Sequence, residues 1–118
     1  MLVVDDQELF REAMTAVVRE TDGFELVGSA ASGEESLLAA AELRPDLVLM
    51  DVNLPGIDGV EATRRLRAGQ EAPVVVLLST YDEQEGELFL QQCGAAAYVT
   101  KSAFGPEVLA ASWAAAGG

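Results

Sequence analysis

LVLMDVNLPGIDG, residues 47–59, runs four apolar residues into an aspartate and then into a string of turn formers. A short, uninterrupted apolar run is the pattern of a strand covered on both faces. It ends by delivering a carboxylate, Asp51, where such a strand leaves the core. Why a buried strand should end on that group is the question the rest of the chain answers.

Outward from this stretch the periodicity alternates. MLVV (1–4) is a short apolar run, and Gln7 to Glu20 then carries Leu9, Phe10, Ala13, Met14, Val17 and Val18 at helical spacing. Thr21-Asp22-Gly23 breaks that helix, and FELVGSA (24–30) reads as a second strand. Ser32 with Glu35 forms a capping box for a helix reaching about Leu43, which Pro45 stops. LVLM (47–50) is the third strand, Val60 to Arg67 a third helix, and VVVLLS (74–79) a fourth strand. Asp82 to Cys93 is a weaker helix containing Gly86, AAYV (96–99) a fifth strand, and Pro106 opens a last helix ending at Gly117-Gly118. Five apolar strands alternating with five helices predict an α/β fold, a doubly wound parallel sheet with helices on both faces.

Composition narrows the function. The 118 residues suit one domain with a real core. Seven basic against twenty acidic residues give a formal charge of −13, which repels nucleic acid and anionic lipid and favours a cation or a basic partner. No histidine is present, which removes Ser-His-Asp and Cys-His catalysis and histidine-ligated zinc. The single cysteine, Cys93, cannot form an intrachain disulfide and reads as a small buried hydrophobe. No signal peptide and no run of about 18 apolar residues is present, so a cytoplasmic location without a membrane contact is expected.

In a parallel sheet of this kind ligands bind beyond the carboxyl ends of the strands. Those ends carry Asp5 and Asp6 after strand one, Asp51 after strand three, Ser79 at the end of strand four and Lys101, the sole lysine, after strand five. Taken singly, each has an ordinary explanation: aspartates cap helices, serines fill turns, and a lone lysine is usually a solvated edge. Together they crowd three carboxylates at one edge, where like charges raise one another's pKa unless a cation intervenes. An all-oxygen set without Cys or His suits Mg²⁺, with room left for phosphate oxygens. A carboxylate beside Mg²⁺ is a competent nucleophile toward phosphorus, and phosphoryl transfer asks the protein mainly for positioning and charge neutralisation.

The Asp5-Asp6 pair, Asp51 followed by LPGIDG, Ser79 and Lys101 resemble the receiver domain of two-component response regulators, over essentially the whole chain. LLSTYDE (77–83) and GAAAYVTKS (94–102) most resemble the NarL/FixJ subfamily. The resemblance implies strand order 2-1-3-4-5, with Asp51 as phospho-acceptor and Asp6 as direct Mg²⁺ ligand. It further implies that Asp5 holds a metal-bound water, that Asn53 ligates through its backbone carbonyl, and that Lys101 and Ser79 bind the phosphoryl group. Tyr98 falls on the family's aromatic switch position. The implied partners are a sensor histidine kinase and a second copy of the chain on phosphorylation. A helix-turn-helix DNA-binding domain is expected downstream of residues 1–118, which would themselves make no nucleic-acid contact. Ser102 follows Lys101 where many receivers have proline, so the family's cis bond is not carried over to this position, and neither cis nor trans is expected there.

Three other functions compete. A haloacid-dehalogenase-like phosphatase shares the aspartate nucleophile but needs a second acid two residues on, where this chain has Asn53. A flavodoxin-like FMN module needs a Ser/Thr/Gly-rich phosphate loop where this chain has the acidic DDQE (5–8). A pseudo-receiver acting purely by interaction would show lost acidic or lysine positions, and none is lost.

Overall fold

The computed structural model describes residues 1–69 and 71–117. Five strands and five α-helices alternate: β1 (Leu2–Val4), α1 (Glu8–Glu20), β2 (Gly28–Ala30), α2 (Gly33–Leu43), β3 (Leu47–Asp51), α3 (Gly59–Arg67), β4 (Val74–Ser79), α4 (Glu83–Cys93), β5 (Ala97–Thr100) and α5 (Pro106–Ala115). All strand pairs are parallel, in the order β2-β1-β3-β4-β5. The expected architecture and strand order both hold.

Strand alternation sorts the apolar side chains into two cores, which is why β1 is apolar throughout and β3 and β4 are apolar up to their last residues, Asp51 and Ser79. Leu2, Val4, Val48, Met50, Val75 and Leu77 pack with Val60, Ala62 and Leu66 of α3 and with Phe89 and Leu90 of α4. Val3, Leu47, Leu49, Val76 and Leu78 face the other way, toward Met14 and Val18 of α1 and Leu109 of α5. Cys93 is free and buried, as its apolar role requires.

Local signals set the helix ends. Ser32 Oγ accepts from Glu35 N–H at 3.1 Å, while Glu35 Oε2 accepts from the N–H of Ala31 rather than from that of the cap itself. Asp58 and Asp82 cap α3 and α4 in the same way, accepting from Glu61 and Glu85 N–H. Arg44 ends α2 in the left-handed region at φ 49°, directly before Pro45.

Two expectations need correction. FELVGSA was read as one strand, yet β2 spans only Gly28–Ala30. Residues 24–27 run alongside Met1, with Val27 N–H donating to the Met1 carbonyl at 2.9 Å, but regular strand pairing begins only at Leu2 with Gly28. Lys101 follows strand five as expected and opens a 3-10 turn over Lys101–Ala103, and the Lys101–Ser102 bond is trans. The last helix ends at Ala115; Gly118 lies outside the described residues.

Candidate functional site

The carboxyl ends of β1, β3, β4 and β5 converge on one cleft of about 300 Å³, lined by Asp6, Gln7, Asp51, Asn53, Ser79, Thr80 and Lys101. Asp5, Asp6 and Asp51 each bring a carboxylate oxygen within 4.8 Å of the others, the one such acidic group of three found among the described residues. Asp5 is fully buried and Asp51 nearly so, whereas Asp6 faces solvent.

Both buried carboxylates are held from several sides. Asp5 Oδ1 accepts from Gln7 N–H at 2.9 Å and Oδ2 from Lys101 Nζ at 2.9 Å, while Arg11 clamps the Asp5 carbonyl at 2.7 Å. Asp51 Oδ1 takes Asn53 N–H at 3.4 Å and lies 3.5 Å from Lys101 Nζ. Burial first, then the negative charge of Asp5, pushes the Asp51 carboxyl up to about 6, with Lys101 and the Asn53 amide pulling against the rise. Backbone packing fixes Asp51 as well. A Cβ on Gly59 would overlap the Asp51 carbonyl, so only glycine lets α3 start this close, where its N–H donates to Val52 O at 2.9 Å.

Lys101 is no solvated edge. Its side chain is 13% exposed, and the ammonium sits over the Phe10 ring, 4.3 Å from the centroid, between the two carboxylates. Ser79 is fully buried, and its Oγ finds no hydrogen-bond partner among the described residues. A buried hydroxyl without a partner is costly, and this one lies at the cleft, within reach of a group that enters it.

Tyr98 stands apart from the cleft, on the α4 side of the sheet. Its hydroxyl donates to the Tyr81 carbonyl at 2.6 Å, so it grips the loop between β4 and α4. Tyr81 was not anticipated; its hydroxyl donates to Asn53 Oδ1 at 3.3 Å, across the rim of the cleft. From the sequence Phe10 reads only as part of an apolar stripe and Gln7 only as the start of a helix. Their sole signal in the sequence is adjacency to strand ends already singled out. A second groove at the opposite end of the sheet, lined by Arg44, Pro45, Asp46 and Trp113, gathers no comparable set of acids.

The donors fit Mg²⁺: three carboxylates of hard oxygen, two of them buried, with neither sulfur nor imidazole among them. Burial and the neighbouring Asp5 charge both disfavour the ionised Asp51, and a cation bound between the carboxylates would oppose that rise.

Comparison with known proteins agrees with this geometry. Residues 1–112 match the model of the response regulator receiver domain. Response regulator GacA of Pseudomonas viridiflava is 48% identical over 103 residues, covering 87% of this chain and 48% of the relative. Response regulator UvrY of Escherichia coli (strain K12) is 34% identical over 111 residues, covering 94% of this chain and 51% of the relative. The chain thus spans about half the length of the curated relatives it matches. The signal receiver domain of the putative response regulator NarL from Mycobacterium tuberculosis superposes with a TM-score of 0.88 at 31% identity, covering 99% of this chain and 94% of that one. Fold, site and relatives converge, and the chain belongs to the receiver-domain family of two-component response regulators.

Proposed function

We propose that Asp51 is the residue that takes the phosphoryl group. The observation that carries this reading is its position: a nearly buried carboxylate held through Oδ1 by the Asn53 amide and Lys101. Oδ2 is the oxygen these contacts leave for attack on phosphorus. The P–Oδ2 bond forms as the P–N bond of a phosphohistidine, or the P–O bond of acetyl phosphate, breaks, and the leaving group departs with its electron pair. Lys101 neutralises charge on the transferred oxygens, and Ser79 Oγ donates to one of them. Asp6 and Asp51, with the Asn53 carbonyl, would hold Mg²⁺ directly, and Asp5 would hold one of its waters. When bound, the metal neutralises charge on the phosphoryl oxygens.

Response regulators receive their phosphoryl group from histidine kinases, and this chain, without a histidine, needs such a donor in the cell. We extend the reading to the whole protein by its relatives: a transcription regulator whose DNA-binding helix-turn-helix domain follows these residues, with dimerisation on phosphorylation. Residues 1–118, at −13, would not bind DNA. No helix among the described residues is long and apolar enough to cross a membrane, consistent with a cytoplasmic role. A pseudo-receiver is disfavoured because Asp5, Asp6, Asp51, Ser79 and Lys101 are all assembled in one place.

Acetyl phosphate with Mg²⁺ tests the assignment. Intact-mass spectrometry should show one added phosphoryl group in the wild type and none in Asp51→Asn. Label that persists in the variant moves the acceptor elsewhere; a wild type that never takes label supports the interaction-module reading.

A further inference from the structure

Helix α4 carries a glycine in its interior, Gly86, although glycine is among the poorest helix formers. The position is buried. A Cβ placed there would collide with the Tyr98 ring, at Cδ2, Cγ and Cε2. The ring therefore rests on bare helix backbone, at a spot no other residue type leaves open.

From that seat two hydrogen bonds lead to the cleft. Tyr98 holds the Tyr81 carbonyl at 2.6 Å, and Tyr81 holds Asn53 Oδ1 at 3.3 Å. Phe89, also on α4, lies between the two tyrosines, with ring centroids 5.5 Å from Tyr81 and 6.3 Å from Tyr98. Tyr81 is only two residues beyond Ser79, so the segment Tyr98 grips is the one that lines the cleft through Ser79 and Thr80.

We infer that Gly86 is a positioning residue for the phosphoryl site: its missing side chain seats Tyr98, which holds Tyr81 and thereby sets the loop over the cleft. What the positioned loop does rests on the phospho-acceptor reading above; the seat itself does not. A methyl at position 86 forces the ring outward and breaks its bond to Tyr81, although the same methyl suits the helix.

A cycle of Gly86→Ala, Tyr98→Ala and the double variant tests this by a change of sign. In the Tyr98→Ala background, Gly86→Ala should raise Tm by about 3 °C, the ordinary gain from replacing a helical glycine. In the wild-type background it should lower Tm instead. Resting amide shifts of Thr80, Tyr81 and Asp82 should move in Gly86→Ala as they do in Tyr98→Ala, with no further change in the double variant. On adding Mg²⁺ and beryllofluoride, a phosphoryl mimic, the Thr80 shift seen in the wild type should fall by at least half in Gly86→Ala. A Tm gain in both backgrounds, or resting loop amides unchanged by Gly86→Ala, overturns the inference. A wild type that ignores beryllofluoride overturns the phospho-acceptor reading instead, and the Tm signs and resting amides still decide the role of Gly86.

Discussion

Lys101 Nζ lies 2.9 Å from Oδ2 of Asp5, a carboxylate with no exposure to solvent. The pair joins the last strand of the sheet to the first, across 96 residues of sequence. Removing one partner of a buried pair strands the other as an uncompensated charge, at a cost of about 3–5 kcal/mol. Lys101→Ala should therefore lose about 3 kcal/mol in urea denaturation, partly through the lost contact with Phe10. Adding Asp5→Asn to it should recover much of the loss. Equal midpoints for wild type and Lys101→Ala would show that the pair contributes nothing.

Asp51 makes the opposite contribution. Its carboxyl stands at about 6 against an ordinary 3.8, so the folded chain holds that proton more tightly than the unfolded one. The stabilisation is complete below the ordinary value and is lost as pH rises from 3.8 to about 6. Two units amount to roughly 3 kcal/mol as an upper figure. Asp51→Asn should thus be more stable than wild type at neutral pH and approach it near the acidic end of that window. Parallel stability curves across the window would show that the rise does not exist.

Mg²⁺ should supply the same relief without a substitution. A ligand that binds only the folded state stabilises it by about 2.7 kcal/mol at a hundredfold excess over its Kd. Thermal melts should climb steadily with millimolar Mg²⁺ in the wild type and much less in Asp6→Asn or Asp51→Asn. A melt indifferent to the metal, or equally responsive in all three proteins, would place the cation elsewhere.

Much of this was legible in the sequence because the same physical rule governs fold and site. Strands apolar at every position demand cover on both faces, and the parallel sheet that results puts Asp5, Asp51, Ser79 and Lys101 at one edge. Asp58 and Asp82 cap α3 and α4 and are not part of the carboxylate cluster, which is why aspartate alone says little. What stayed hidden depends on contacts between segments far apart in the chain. The seat of Lys101 over Phe10, the Tyr81–Asn53 bond and the ring of Tyr98 on Gly86 follow from how α1 and α4 pack on the sheet. The apolar pattern of residues 24–30 exceeds β2, which pairs with β1 only over Gly28–Ala30.

Ser79 gives the sharpest test of the site, because one substitution should act in opposite directions in two states. Its Oγ is buried without a hydrogen-bond partner among the described residues, and leaving such a group unsatisfied costs about 1–3 kcal/mol. Ser79→Ala removes that cost from the resting protein, so the variant should be as stable as wild type or up to about 1 kcal/mol more stable. On phosphorylation the same hydroxyl gains an acceptor carrying nearly two negative charges, and only that state contains the contact. A ligand shifts a conformational balance only through contacts that differ between the states. In the wild type, closing the distance from Ser79 to the phosphoryl group draws the segment from Thr80 to Glu83 inward. Tyr98, bonded to Tyr81 within that segment, has to follow. Ser79→Ala should accept phosphate from acetyl phosphate at Asp51 yet lose most of the amide-shift response around Tyr98. Identical responses in the two proteins would break the link between the phosphoryl group and Tyr98, and a clear loss of resting stability would mean that the hydroxyl already has its partner.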